Sequence, residues 1–449
     1  MSRRDAVSPM AGGSGVVALA VTLTVVAVGG GLFVGGGVAS TDGGGDDPAP
    51  TSQVVDIPAA PVGGAAREVA GRRLVGALER GWDYPRRVFA ASIADSAPGR
   101  QAASALRRNL RDLQVRDLAL TWRRPAQPPV AAPADVAVGI VQVAWSQPRW
   151  QQPATTLVGL VYTVDDTSNK PAGRLLRIEA ARGRAAPPTP LWAMGRLQVD
   201  ATGMAQVVAL PGTVRRMPRL TARLPAVVRR SHREVSKLLG PDRGRLLVVL
   251  PATRVQYRAV LGRDGVPGPR LAAAAAVTSA VGPQVGVDGA MHIVINPATA
   301  DRLRPAALRV LVRHEITHAF TGTPAVPIPL WVAEGFADFA ALSDGRFPSR
   351  LLASEAIRRT RQTGPPADLP TDHDFAAAPA RVRAAYEQSW LAFRAIEEVA
   401  GKAATVRFYR AVTNGRSVDH ALLEHTSLSL QQLTARWRAD LRGLARVDG

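Results

Sequence analysis

The apolar positions of this chain fall into distinct regimes. Val16–Val38 is almost wholly apolar, and no charged residue stands between Ala6 and Thr41. A run of that length spans a bilayer as a helix, and it exceeds the apolar stretch of a cleaved signal peptide. Residues 39–65 are rich in Gly, Pro and Asp and have no apolar period, which predicts a flexible spacer. Helical periodicity follows, with Leu74, Leu78 and Trp82 on one face and then Leu106, Leu110 and Leu113 on another. Four extended runs come next, over Leu118–Arg123, Val136–Trp145, Thr156–Val164 and Leu175–Ala180. In the second run both alternating faces carry apolar residues, so it reads as a strand buried on both sides. Helices ahead of a strand meander predict a small α+β domain over 66–190.

A Pro-rich join, Ala185–Pro190, leads into a second unit over 191–449. Leu224–Leu239 reads as an amphipathic helix, with Pro225 in its first turn and Gly240-Pro241 as its stop. Arg245–Leu250 and Met291–Ile295 read as strands. A helix opened by Pro305 follows, and further helical patterns run to the C-terminus. The whole is predicted as α+β, with 1–14 as a short leader, 15–38 as a membrane span, 39–65 as linker, and the two folded units after that.

Charge orients this plan. Arg3 and Arg4 precede the apolar run and Asp42, Asp46 and Asp47 follow it, so residues 1–14 are expected in the cytoplasm and both folded units outside. Small residues at Val38–Ser40 leave cleavage and secretion as the alternative. The net charge of +20 raises nucleic acid or anionic lipid as partners. Nearly all of it is arginine, however, spread along the chain with no recognition motif, so no specific nucleic acid is expected. With no cysteine, disulfides and thiolate metal sites are excluded, and a metal would rest on His and carboxylates.

That matters because of His314-Glu315-Ile316-Thr317-His318. Residues four apart share a helix face, so His314 and His318 can turn two imidazole nitrogens to one ion. Glu315 beside them can take a proton from water activated there. Downstream, in Trp331-Val332-Ala333-Glu334-Gly335-Phe336-Ala337-Asp338, Glu334 offers a third ligand from a second helix. Two His and one Glu suit Zn²⁺ and leave a coordination position open for catalysis. Asp338, one turn after Glu334, can accept the free imidazole N–H of His314 and fix its tautomer. Seven histidines and eleven glutamates make a chance H-E-x-x-H improbable, on the order of 0.003 by composition.

The pair HEITH and WVAEGFADF resembles the gluzincin metallopeptidases, both thermolysin-like and aminopeptidase-N-like. The strong match covers about 25 residues, and the order of elements agrees over roughly 205–449. The resemblance implies a zincin fold, with His314, His318 and Glu334 as zinc ligands, Glu315 as general base and Asp338 as the partner of a ligand histidine. It also implies a Tyr or His donor to the oxyanion, for which Tyr386 is the first candidate and His373 the second. Residues 66–190 are similar in element order to the cone-shaped cystatin-like and nuclear-transport-factor-like domains. Two departures stand out. Only fifteen residues separate His318 from Glu334. Gly289-Ala290-Met291-His292 is similar to the G-A-M-E-N segment of aminopeptidases, but has His292 in place of the amine-binding Glu. Small membrane-anchored peptidase-MA-like proteins are nearer in pattern.

The expectation is a membrane-anchored extracytoplasmic zinc endopeptidase acting on peptides or proteins, with Met291–Ile295 as either an edge strand for an extended substrate or a plain core strand. The alternative is a catalytically silent scaffold that keeps the zincin fold.

Overall fold

Helix α1 (Gly64–Trp82) buries Ala70, Leu74 and Leu78 on one stripe, as the apolar spacing requires. The computed structural model describes residues 64–82, 93–126, 133, 135–148, 153–165, 171–181, 188–202, 205–240, 246–262, 276–280, 291–323, 326–345 and 347–446. The expected membrane span at 15–38 lies outside them, and so does most of the linker. Among the described residues no helix is long and apolar enough to cross a membrane. Helix α2 (Ala97–Asp112) starts at Ser96, whose side chain accepts the Gly99 amide at 3.1 Å.

Both helices pack on an antiparallel meander in the order β1-β2-β3-β4: Arg116–Ala126, Val136–Ser146, Ala154–Asp165 and Ala172–Ala180. Each strand outruns its predicted apolar stretch, because ladder pairing needs only backbone groups. Pro125 illustrates this: it pairs opposite Gly139 on the edge strand β1, where its missing N–H costs no inner ladder bond.

The second sheet runs β5-β6-β7-β9-β8, over Gln198–Thr202, Ala205–Ala209, Leu246–Leu250, Met291–Ile295 and Ala276–Ala280 respectively. The pairs β6/β7 and β7/β9 are parallel, and the outer strands β5 and β8 run antiparallel to their neighbours. Met291–Ile295 is therefore an interior strand, so of its two readings the core strand holds and the edge strand is corrected. All five of its residues are buried. The edge beside it is β8, whose Ala-rich surroundings carry no strand period.

Helix α3 (Pro218–Leu239) forms the crossover from β6 to β7. It begins six residues earlier than its apolar pattern suggested and carries Pro225 in its interior. Burial of Leu220, Leu224 and Val228 overrides the lost helix bond at the proline. Helix α4 (Arg254–Leu261) follows β7, and Thr253 caps it through the Gln256 amide.

One face of the second sheet, with Val207, Val248, Ile293 and Ile295, packs on α3 and on helix α5 (Pro305–Thr321) through Leu308, Leu311, Val312 and Ile316. The other face, with Val208, Leu247, Val249 and Val294, joins a single core with Leu74, Leu106, Val141 and Leu160 of the first unit and with Trp192 just after the join. The Pro-rich join thus leads into a shared core. Buried Asn109 pins it, donating to the Trp192 carbonyl at 3.0 Å and accepting the Leu197 amide at 3.2 Å.

The remainder is helical: α6 (Leu330–Leu342), α7 (Ser354–Thr363), α8 (Pro379–Thr413, kinked at Gly401), α9 (Val418–Thr426) and α10 (Leu430–Arg446). Buried Trp437 on α10 donates its indole N–H to the Gln388 carbonyl of α8 at 3.0 Å.

Candidate metal centre

Helix α5 starts with Pro305 in its first turn and ends at Gly322, in the left-handed conformation at φ 63°. Its apolar face is buried against the sheet, which turns the next face of the helix towards α6. His314, Glu315 and His318 on α5 are fully buried, and Glu334 on α6 is 1 % exposed. Arg313 locks the two helices together. It donates to the Ala340 carbonyl at 2.8 Å and to Ser343 Oγ at 2.9 Å at the end of α6, and pairs with Glu234 of α3 and Asp344, each at 3.4 Å. Gly335 lets α8 approach α6 closely: a Cβ there would stand 2.7 Å from the Ser389 carbonyl oxygen and 2.8 Å from the Phe393 ring.

Three donor atoms meet between α5 and α6. His314 Nε2 and His318 Nε2 are 2.9 Å apart, and Glu334 Oε2 lies 3.2 Å from the first and 3.3 Å from the second. No other group of three or more His, Asp or Glu among the described residues is arranged to hold a metal. Ligands about 2.0–2.1 Å from a tetrahedral Zn²⁺ stand about 3.3–3.4 Å from one another, so this triangle fits that ion with small adjustments. His314 Nδ1 donates to Asp338 Oδ1 at 2.8 Å, because a carboxylate only accepts. In neutral His314, Nε2 is thereby the nitrogen whose lone pair faces His318 and Glu334.

The electrostatics agree with a cation site. Burial disfavours a charged His314, but the Asp338 and Glu334 carboxylates outweigh it and hold its pKa up at about 10. Burial likewise works against an ionised Glu334, yet His318 and His314 pull it down to about 2. A proton-hungry imidazole beside an ionised carboxylate is a donor set that a divalent cation satisfies.

Glu315 lies outside the ligand triangle. Burial raises its pKa, opposed by His314, His318 and a hydrogen bond from Thr278 Oγ1 to Oε2. Its Oε1 is buried without a hydrogen-bond partner among the described residues. Thr278, on β8, was not foreseen, since a threonine in an alanine-rich run carries no motif. Tyr386, on α8, is 6 % exposed, and its hydroxyl pKa is pushed well up by burial and then by the charges of Glu334, Asp338 and Glu315. The second candidate donor, His373, is exposed on a four-residue helical turn, Asp372–Phe375. A pocket of about 60 Å³ adjoins Asp338 and Tyr386, walled by Val310, Leu342, Leu352 and Trp390 and bearing Arg383 and Glu387.

His292 lies apart from the site. On β9 it stands opposite Ser279, while the neighbouring pair Ile293 and Thr278 faces α5. Strand alternation therefore points His292 away from the metal centre. It is buried with Nε2 unpartnered, and burial takes its pKa down to about 3. The segment resembling G-A-M-E-N thus does not present its fourth residue to the site, and its histidine says nothing about how a substrate terminus is held.

No protein-family model matches the chain, and no curated protein matches it in sequence. Among solved structures the chain is similar to a two-domain M1 zinc metallopeptidase variant bound to L-arginine, at 17% identity and TM-score 0.33 over 74% of this chain and 70% of that one. It is also similar to an M1 zinc metallopeptidase variant from Deinococcus radiodurans bound to a Tyr-Ser-Ala substrate, at 16% identity and TM-score 0.31 over 74% of this chain and 71% of that one.

Proposed function

We propose that the chain is a zinc metallopeptidase of endopeptidase type, anchored by residues 15–38 with its site outside the cytoplasm. The observation that carries the reading is the buried convergence of His314 Nε2, His318 Nε2 and Glu334 Oε2, with a carboxylate oxygen of Glu315 free beside them. A Zn²⁺ held by these three residues would supply Lewis acidity, polarising a carbonyl oxygen and lowering the pKa of a water to about 7.

The chain's own residues do the rest. Glu315 Oε1 takes the proton of the attacking water and hands it to the leaving amine. Asp338 holds His314 in the tautomer that keeps Nε2 free. The Tyr386 hydroxyl stays protonated, because burial and three nearby carboxylates raise its pKa, and so it remains a donor to the oxyanion. The pocket beside Tyr386, apolar on one side and bearing Arg383 and Glu387 on the other, offers a place for a small substrate group. An extended peptide adds along β8, the outer strand beside α5, and such pairing needs no free terminus.

The test uses the full chain purified in detergent with an internally quenched peptide library. One zinc per chain and hydrolysis are expected, and Glu315→Gln should retain zinc while losing about 10²–10⁴-fold in kcat, the usual worth of a general base. A preparation without stoichiometric zinc would sink the site. Stoichiometric zinc without hydrolysis would favour the scaffold reading, and an unimpaired Glu315→Gln enzyme would remove the mechanism.

A further inference from the structure

We propose that Thr278, on the edge strand β8, is the positioning residue that orients the Glu315 carboxylate. The inference rests on the peptidase reading above.

Its geometry begins in the sheet. Thr278 stands opposite Ile293 in the antiparallel pair β8/β9, so the two side chains share a face. Ile293 packs in the core with Leu308, Leu311 and Ile316 of α5, so Thr278 is aimed at the motif helix. The side chain is fully buried there. Its Oγ1 lies 2.5 Å from Glu315 Oε2 and 3.2 Å from the Glu315 main-chain oxygen. A hydroxyl has one proton, and the nearer acceptor, a carboxylate oxygen, is the stronger one.

Two further observations turn this contact into a role. The bond from Thr278 is the one side-chain hydrogen bond that the Glu315 carboxylate makes among the described residues, and Oε1 is buried without a partner. A glutamate has three rotatable bonds, and no other polar contact holds the far end of this one. Threonine is β-branched and stiff at χ1, so the strand itself sets the direction of the hydroxyl. Oε2 is thereby tied towards β8, Oε1 is left as the oxygen free to accept a proton, and the carboxylate is kept out of the triangle formed by His314, His318 and Glu334. The strand that a substrate would join also carries the group that aims the base.

The experiment compares wild type, Thr278→Val, Thr278→Ser, Glu315→Gln and the double variant Thr278→Val/Glu315→Gln. All are full chains, assayed on the quenched peptide library, with zinc content and resistance to chelation measured in parallel. Thr278→Val keeps the shape and removes the donor. It should hold one zinc per chain at least as firmly as wild type and lose about 10–100-fold in kcat with little change in KM, the scale of a misplaced reacting group. Thr278→Ser retains the hydroxyl and should recover most of that loss. In the Glu315→Gln background the valine substitution should add nothing, since a residue acting through Glu315 has no further effect once the base is gone.

Thr278→Val as active as wild type, beside an inactive Glu315→Gln, overturns this inference and leaves the peptidase reading standing. Loss of zinc in step with activity in both Thr278 variants assigns the residue to the fold, and an additive double variant shows that it does not act through Glu315. A fully active Glu315→Gln enzyme, by contrast, removes the general base and this inference with it.

Discussion

Asp338 reaches His314 Nδ1 at 2.8 Å while remaining 7 % exposed, so one carboxylate decides which nitrogen of neutral His314 is free. Asp338→Asn keeps the shape but halves the acceptor capacity and removes the charge. It should weaken zinc affinity about 10–100-fold, measured by chelator competition, with the fold intact by circular dichroism. At this scale the motif was readable from spacing alone: His314, Glu315, His318, Glu334 and Asp338 all stand where helical periodicity puts them, and the structure gathers them at one place. Thr278 was not readable, because its partner is 37 positions away and no local pattern links a strand threonine to a helix glutamate. The direction of His292 was not readable either. A four-residue likeness says nothing about which face of a strand a side chain leaves from, and the register with β8 turns it away.

Between elements, the site depends on how closely α6 and α8 approach. A Cβ at Gly335 would meet the Ser389 backbone at 2.7 Å from its oxygen and 2.9 Å from its carbon, and backbone cannot swing aside as a side chain can. Gly335→Ala should therefore cost about 1–3 kcal/mol in chemical denaturation and, by shifting the neighbouring Glu334, lower zinc affinity as well. Glu387 on α8 makes a second joint. Helix α7 has no side-chain cap of its own at Ala353, and the Glu387 carboxylate accepts the Ala356 amide at 2.7 Å. Burial raises the Glu387 pKa to about 7, against about 4.3 in an unfolded chain. The folded state thus binds the proton more tightly. Its contribution to stability is present below about pH 4.3 and is lost as pH rises through about 7. Unfolding measured from pH 4 to 8 should show that decline, and Glu387→Gln should flatten it. The apolar period found the helices but placed the start of α3 too late, since Leu220 and Leu224 pull Pro225 inside the helix.

For the whole molecule, the second sheet is the member both units share, and its two faces serve different cores. Val248 and Ile293 support the motif helix, whereas Leu247 and Val294 belong to the core of the first unit. The triangle of His314, His318 and Glu334 joins α5 to α6 from within one of those cores. A ligand that binds only the folded chain stabilises it by mass action, about 4 kcal/mol at a thousandfold excess over Kd. Chelation should accordingly lower Tm by several degrees, with full recovery on adding one equivalent of zinc; a Tm indifferent to chelator would contradict a folded-state metal site.

The order of β-rich and helical segments, the H-E-x-x-H helix and the carboxylates following it on α6 are local periodicities, and a linear sequence records local periodicity directly. That is why a two-His, one-Glu centre could be drawn from His314, His318 and Glu334 before any fold was seen. Strand order, the burial of Met291–Ile295 in mid-sheet, the edge position of β8 and the approach of Thr278 to Glu315 are pairings between distant residues. They are decided by which faces find a common core, and only the folded chain holds that information.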